Sequence, residues 1–232
     1  MAEDIKQPIL NIEKMQEAGL HFGHRVSNLH PKMKPYVSVI KNNVHMIDLE
    51  KTAQEFERAL KYISTLASQG KTVLFVGTKI QVKELVKNTA ESCNMPYVVE
   101  RWMGGTFTNF GTISKRVAYF KELEDKKTAG GLEKYTKKER SLFDRELEIL
   151  RKKFEGIRNM IKLPEAVLIL DLKKDLTCVR EAKIKGIKII GIVDTNIDPT
   201  LADYLIPAND DAISSVRYIL DKVQETIVAA KQ

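Results

Sequence analysis

Short apolar segments alternate with amphipathic helical patterns along most of the chain. The apolar segments are TVLFVG, MPYVVE, EAVLILD, IKIIGIVD and YLIPAN, and most of them are almost wholly hydrophobic. Strands of that composition are typical of a sheet that is buried on both faces. Helical patterns lie between several of them, at residues 79–93 and in DLTCVREAKIKG. This alternation predicts an α/β fold with parallel βαβ units and helices on both faces of the sheet.

Three further helices are indicated outside this alternation. A short one spans residues 11–18 and ends at Gly19, and a longer one runs from Asp48 or Glu50 to about Ser68. The last helix follows a cap at Asn209 or Asp210, because side-chain oxygens of Asn and Asp accept from free N–H groups at helix starts. The stretch between the first two helices contains two prolines and all four histidines, and we expect it to be irregular.

Residues 112–160 interrupt the α/β pattern. Their second half repeats apolar residues at intervals of three and four, which is a heptad pattern: Phe143, Leu147, Leu150, Phe154, Ile157 and Ile161. The first half offers Ile113, Val117, Phe120 and Leu123, and Ala-Gly-Gly at 129–131 provides a corner. We therefore expect an antiparallel coiled-coil hairpin (112–160) inserted into an α/β core domain (1–111 and 161–232). The alternative is an ordinary helix pair packed on the core.

The distribution of charge points to an anionic partner. The 232 residues carry a formal net charge of +7. Residues 112–162 contain fifteen Lys and Arg against nine Asp and Glu, so nearly all of the surplus lies in this one segment. A basic surplus of this size favours binding to nucleic acid or to an anionic membrane surface.

Cysteine content and hydropathy narrow the class of protein. Cys93 and Cys178 are far apart and lie in helical patterns, which favours two buried thiols in a reducing cytoplasm. No segment approaches the roughly 18 apolar residues of a membrane span. The first residues, MAEDIKQPILNIEK, lack the basic and apolar regions of a signal peptide.

A phosphate-binding loop is the first enzymatic feature to consider. Gly77, Thr78 and Lys79 follow a strand and open a helix, where α/β folds often bind phosphates. Neither G-x-G-x-x-G nor G-x-x-x-x-G-K-[ST] occurs in the chain, so nucleotide binding is weakly supported. A tight turn with a solvated lysine explains the loop equally well. A nucleotide- or phosphate-binding enzyme domain remains the alternative function.

Catalytic and metal sites are also weakly indicated. Asp171, Asp194 and Asp198 follow strands, where carboxylates can act as bases, but turn formation and helix capping are simpler explanations. No Ser/His/Asp or Cys/His arrangement has a suitable motif. The spacing of His21, His24 and His30 is a weak metal signal without a fourth ligand. We expect neither catalysis nor a metal or cofactor.

Two segments combine cations with small, planar or hydrogen-bonding residues, as RNA-binding loops do. They are HFGHRVSNLHPKMKPY and RWMGGTFTNFGTISKR. Adjacent glycines allow close approach to a sugar-phosphate backbone, and Thr and Asn can donate to phosphate or the 2′-hydroxyl. For Trp102, a core tryptophan beside a glycine turn is the alternative. The residues expected to contact RNA are His21, His24, Arg25, Lys32, Lys34, Arg101, Trp102, Gly104, Gly105, Thr108, Asn109, Lys115 and Arg116.

The same stretches resemble one known family. EAGLHFGHR, PKMKPY, HMIDLEKT, FVGTK, MPYVVERWMGGTFTNF, GIVDTNIDP and IPANDDAISS are similar, in order and spacing, to motifs of the S2 family of bacterial small-subunit ribosomal proteins. The resemblance covers about residues 15–220. The combination of RWMGG-T-TN, VDTN-DP and IP-NDDA is far more specific than any single glycine loop.

The resemblance implies a Rossmann-like or flavodoxin-like parallel sheet with an inserted coiled-coil hairpin. It implies a structural, non-catalytic protein that is cytoplasmic and ribosome-associated. Its expected partners are 16S ribosomal RNA and neighbouring small-subunit proteins, including ribosomal protein S1, which the family helps to dock. We expect no membrane partner.

Overall fold

A small antiparallel sheet occupies the stretch that was expected to be irregular. The computed structural model describes residues 10–131 and 135–231. Its first strands are β1 (Phe22–Arg25), β2 (Val37–Lys41) and β3 (Val44–Ile47), in the order β1-β3-β2. The prediction of irregular structure was therefore wrong. The sequence signal for this sheet was the Asn42-Asn43 pair between two apolar segments. Both residues adopt positive φ and form the tight hairpin turn between β2 and β3.

The second sheet is parallel throughout and has five strands, as the α/β pattern predicts. The strands are β4 (Val73–Val76), β5 (Tyr97–Val98), β6 (Ala166–Ile169), β7 (Lys188–Val193) and β8 (Tyr204–Pro207). Their order is β5-β4-β6-β7-β8, with each neighbouring pair parallel. The chain leaves β4 toward one edge and then returns to β6 on the other side. This order is consistent with a Rossmann-like fold, whose direction of winding reverses between β4 and β6.

Seven α-helices accompany the two sheets within the described residues. They are α1 (Ile12–Glu17), α2 (Leu49–Ser68), α3 (Lys83–Ser92), α4 (Phe110–Thr128), α5 (Lys137–Phe154), α6 (Leu176–Lys185) and α7 (Ile213–Lys231). Asn11 and Asp48 cap the first two helices with their side-chain oxygens. Short 3-10 helices lie at Val26–Asn28, Pro31–Tyr36, Glu155–Ile157 and Pro199–Leu201. None of the helices described here is long and apolar enough to cross a membrane.

The sheet separates two hydrophobic cores because successive side chains of a strand point to opposite faces. On one face, Val73 and Phe75 of β4 pack with α1, α2, α3 and α7. On the other face, Leu74 and Val76 pack with α4, α5 and α6. Burying one such side chain fully stabilises a fold by about 1.5–3 kcal/mol. The result is three layers, with the parallel sheet between two layers of helices.

Helices α4 and α5 pair with each other in the segment where a hairpin was expected. Tyr119 on α4 donates its hydroxyl to Glu146 on α5 at 3.3 Å. Lys127, near the C-terminal end of α4, forms an ion pair with Asp144 of α5 at 2.6 Å. A later residue of α4 thus contacts an earlier residue of α5, which shows that the two helices are antiparallel. The apolar side chains at the base of this pair belong to the same core as Val98 and Trp102. Whether the pair is a separate coiled-coil domain with bounds 112–160 stays a prediction.

Several element boundaries differ from the expectations. The heptad positions Leu147 to Ile157 are buried, but Ile161 is 93% exposed and lies beyond the helix. Helix α3 begins at Lys83, four residues later than expected, because residues 79–82 form a turn. Asn209 caps the turn before α7, accepting from the N–H groups of Asp211 and Ala212 at 2.8 and 3.0 Å.

Candidate nucleic-acid interface

A single buried carboxylate organises the loop of residues 101–109. Glu181 lies on α6 and is 6% exposed. Its oxygens accept from the backbone N–H groups of Gly105, Phe107 and Thr108 at 2.8, 2.9 and 3.1 Å. They also accept from the Trp102 indole at 3.2 Å and the Thr108 hydroxyl at 3.1 Å. Burial alone would raise the pKa of Glu181, but these hydrogen bonds outweigh it and hold the pKa below its ordinary value.

This arrangement gives three of the expected RNA-binding residues a structural role. The Trp102 ring is buried and meets Phe107 edge to face, with ring centroids 4.8 Å apart. Gly105 adopts a φ of +92°, a conformation that favours glycine. The Thr108 hydroxyl is turned toward Glu181. The ring position agrees with the alternative interpretation of Trp102 as a core residue, and RNA contact by these three residues stays a prediction.

Other expected residues of this segment lie on the surface. Arg101, Gly104 and Asn109 are exposed, and so are Lys115 and Arg116 on α4. A Cβ atom at Gly104 would meet no atom within 4 Å, so the space above this backbone is open. The loop thus presents Arg101 and an accessible glycine above a fixed hydrophobic base.

The N-terminal segment is attached to the carboxyl end of β7. Thr195 follows β7 and is fully buried. Its hydroxyl accepts from the His24 N–H at 2.9 Å and its carbonyl from the His30 N–H at 2.8 Å. A Cβ atom at Gly23 would lie only 2.5 Å from the Thr195 methyl group, so glycine is required for this close approach. The VDTN sequence therefore holds the antiparallel sheet against the core.

The basic residues of the N-terminal segment that were expected to contact RNA differ in their exposure and in their partners within the protein. Arg25 and Lys34 are exposed, and no hydrogen bond or ion pair to another described residue engages their side chains. Lys32 instead pairs with Asp198 at 2.7 Å and reaches the Thr200 hydroxyl at 3.2 Å. His21 is half-buried beside the Phe22 ring, and burial together with Lys41 lowers its pKa.

The three histidines whose spacing gave a weak metal signal, His21, His24 and His30, have different partners. The Nδ1 of His24 lies 3.1 Å from an Asp194 oxygen and its Nε2 lies 3.6 Å from Asp211. The Nδ1 of His30 accepts weakly from the Lys32 N–H at 3.4 Å. Within residues 10–131 and 135–231, no three His, Cys, Asp or Glu side chains form a group that could hold a metal ion.

The phosphate-loop candidate is occupied by internal contacts. The Lys79 ammonium group lies 2.9 Å from Asp171, 2.9 Å from Asp210 and 2.8 Å from Asp211. Burial would lower the pKa of Lys79, but the hydrogen bond to Asp211 and the charge of Asp210 raise it instead. Burial and the neighbouring Asp194 raise the pKa of Asp210 to about 7. Several carboxylates at this end of the sheet disfavour a bound phosphate.

The sequence analysis did not identify the structural roles of two of these residues, Glu181 and Asp210. Glu181 stands in an ordinary charged helix, and Asp210 was identified only as a possible helix cap. Glu181 meets the loop across at least 73 positions of the chain and Asp210 meets Lys79 across 131, so no local pattern reveals these contacts. A buried helix position occupied by Glu was the only available signal.

Comparison with known proteins agrees with the arrangement of these motifs. The sequence profile of the family described as "Ribosomal protein S2" matches residues 15–230. The chain is 45% identical to "Small ribosomal subunit protein uS2c" of Rhodomonas salina over 219 residues, which cover 94% of this chain and 90% of that protein. It is 44% identical to "Small ribosomal subunit protein uS2" of Chlorobium chlorochromatii, over 95% of this chain and 88% of the relative. The protein of the same name from Coprothermobacter proteolyticus is 41% identical, over 97% and 84% respectively.

Proposed function

The chain belongs to the ribosomal protein S2 family, and we propose that it binds 16S ribosomal RNA directly as part of its structural role in the small subunit. This family consists of structural proteins of the ribosome rather than enzymes. The relatives are named as proteins of the small ribosomal subunit, so ribosome association follows from membership. The cytoplasm is the proposed compartment.

The observation that carries the proposal is the set of exposed, unpaired cations beside rigidly held loops. Arg25 and Lys34 project from the N-terminal segment, and Arg101, Lys115 and Arg116 from the loop and from α4. Within the described residues none of these five side chains has an ion pair. Lysine and arginine side chains in this state can neutralise RNA phosphates without first breaking internal contacts.

Binding of ribosomal protein S1 is the second part of the proposal. It is supported by the family resemblance of the motifs and not by a particular contact of this chain. The exposed face of the α4–α5 pair is available as a protein-binding surface. Loss of S1 from purified subunits that lack this chain, with restoration on adding it back, is the expected result.

Direct RNA binding can be tested by measuring affinity for 16S RNA at several salt concentrations. We expect log K to fall linearly with log salt, with a slope of about −0.7 to −0.9 for each phosphate that is neutralised. Unrelated RNA of equal length serves as the control for specificity. A slope near zero, or equal affinity for both RNAs at moderate salt, would contradict specific binding to 16S RNA.

A further inference from the structure

A basic cleft lies between the loop of residues 100–104 and the outer side of α5. Its volume is about 490 Å³. The lining residues that matter for its chemistry are Arg101, Met103, Gly104, Ile149, Lys152 and Lys153. Only Arg101 and Gly104 of these were expected from the sequence to contact RNA. We call this feature the α5 cleft.

The cations of the α5 cleft are free to bind a ligand. Arg101, Lys152 and Lys153 are exposed, and none of the described residues forms an ion pair or hydrogen bond with their side chains. The one acidic residue of the cleft, Glu100, is already paired with Lys83 at 2.6 Å. The cleft therefore presents three uncompensated positive charges around a single neutralised carboxylate.

The α5 cleft has three apolar lining residues, Met103, Trp102 and Ile149, which we call its apolar floor. Ile149 is 46% exposed although it is a large hydrophobic residue. Trp102 is buried and is held by its hydrogen bond to Glu181. The backbone at Gly104 is open to solvent. An apolar floor within a ring of cations suits a ligand that has both flat apolar surfaces and phosphates.

The α5 cleft continues into a second cavity along the protein surface. This neighbouring cavity has a volume of about 320 Å³ and shares Glu100, Arg101, Lys152 and Lys153 with the first. It adds both cations and carboxylates to the lining: Lys83, Lys87 and Arg151, and Glu84, Glu91 and Glu155. Cavities of about 300–1,000 Å³ accommodate small ligands, so each one can hold about one nucleotide unit. The two together form a track longer than one nucleotide.

We propose that the α5 cleft binds a segment of RNA, with phosphates on Arg101, Lys152 and Lys153 and a ribose or unpaired base against Ile149 and Met103. This inference rests on the proposed RNA-binding function and assigns to it residues on α5. An acidic peptide would match the charges equally well. It lacks regularly spaced planar groups for the apolar floor, so RNA fits the cleft better.

The test compares two triple variants that remove equal charge. The cleft variant is Arg101→Ala, Lys152→Ala and Lys153→Ala. The control variant is Arg217→Ala, Lys173→Ala and Lys185→Ala, which removes three exposed cations away from the cleft. Far-UV circular dichroism and thermal unfolding should show that both variants are folded, because all six side chains are exposed.

We expect the cleft variant to bind 16S RNA at least tenfold more weakly than the control variant at moderate salt. Its salt slope should be shallower than that of the wild type by about 2 to 3, since each lost phosphate contact removes about 0.7–0.9. Ile149→Ser should weaken binding without changing the slope, because it removes apolar contact but no charge.

Two failures can be distinguished. If the wild-type protein itself does not bind 16S RNA, the proposed function fails. If the wild type binds but the cleft and control variants lose the same affinity and slope, the inference about the α5 cleft is overturned while the function stands. The second result is also expected if the cleft receives an acidic protein segment instead of RNA.

Discussion

Glu181 shows how one residue can determine the shape of a functional loop. Its carboxylate is buried and accepts five hydrogen bonds from the loop of residues 102–108. Hydrogen bonds to a charged partner are worth about 1.5–3 kcal/mol each, and a buried N–H group left without a partner is costly. The residue therefore keeps Arg101 and Gly104 in place beside the α5 cleft.

We predict that Glu181→Ala lowers the free energy of unfolding by about 3 kcal/mol or more, because it leaves several buried hydrogen-bond donors without an acceptor. Glu181→Gln should cost less, since one oxygen acceptor remains. Denaturant unfolding monitored by circular dichroism measures both. The exposed Glu57→Ala, which breaks only a surface ion pair with Lys61, is the control and should change stability by less than about 1 kcal/mol. Equal losses for Glu181→Ala and Glu57→Ala would contradict the structural role of Glu181.

The pH dependence of stability provides a second measure of Glu181. Because its folded-state pKa lies below the ordinary value of 4.5, its contribution is present above pH 4.5 and is lost as pH falls through the folded pKa. The gap in stability between wild type and Glu181→Gln should therefore narrow in acid.

His24 joins the antiparallel sheet to the parallel sheet through Asp194. The hydrogen bond that His24 donates to Asp194 raises the pKa of His24 above 6.5, although burial opposes this shift. Asp210 and Asp211 add to the negative potential around the imidazole. The Lys79 ammonium group also lies among these carboxylates, where it is held by Asp171, Asp210 and Asp211.

We predict that His24→Gln destabilises the protein more at pH 6 than at pH 8. A raised pKa means that the protonated imidazole stabilises the folded state below 6.5, and that this contribution disappears as pH rises through the folded pKa. Breaking a charge-assisted hydrogen bond should cost about 1.5–3 kcal/mol at the lower pH. Denaturation midpoints at both pH values, with His30→Gln as the control, provide the measurement. A loss that is equal at the two pH values would refute the ion pair.

At the scale of elements, the α4–α5 pair has two parts with different surroundings. Near its base, Val117, Phe120, Leu150 and Phe154 are buried in the same core as the sheet. Gly156, just after α5, packs so closely against the Tyr97 carbonyl oxygen of β5 that there is no room for a Cβ atom. Beyond Leu123 and Leu147 the pair is held by the partly buried Phe143 and by surface contacts such as Lys127–Asp144. We therefore predict that the separable part is shorter than residues 112–160.

We predict that replacing residues 128–143 with a short Gly/Ser linker leaves cooperative unfolding intact. The two ends lie close together, since Lys127 and Asp144 form an ion pair, and closing a short surface loop costs little entropy. Deleting residues 115–159 should instead abolish cooperative unfolding, because losing one buried Phe alone typically costs about 3–5 kcal/mol. Calorimetry of both deletions tests the boundary. A cooperative core after the larger deletion would support the original bounds of a separate domain.

At the scale of the whole molecule, positive and negative charge occupy different regions. The buried residues Asp171, Asp194 and Asp210 follow the carboxyl ends of β6, β7 and β8. Lys79 contacts Asp171 and Asp210, and His24 contacts Asp194. Unpaired cations lie on α4, on α5 and on the loop of residues 100–104 instead. The edge of the sheet where related α/β folds bind phosphates thus serves to join the N-terminal segment to the core. Nucleic acid is expected at the helical layer and at the exposed Arg25 and Lys34 of the N-terminal segment, and not at these carboxylates.

The sequence alone determined the α/β class, the five parallel strands and the two helices α4 and α5. These features depend on local periodicity and on turn residues, which are visible in any window of about ten residues. The order of family motifs also predicted ribosomal membership, which the comparisons confirmed. The same reasoning could have predicted the antiparallel sheet from the Asn42-Asn43 turn, but our sequence analysis missed it.

Only the tertiary structure decided which polar groups are used inside the protein and which remain available on the surface. Trp102 and Thr108 belong to a motif that resembles an RNA-binding loop, yet both donate to Glu181 on a distant helix. Lys79 resembles a phosphate ligand but is occupied by aspartates more than 90 positions away. Lys152 and Lys153 stand in an ordinary basic helix but face the same cleft as Arg101. Hydrogen bonds and ion pairs act over a few ångströms in space, and a linear pattern does not specify which distant residues meet.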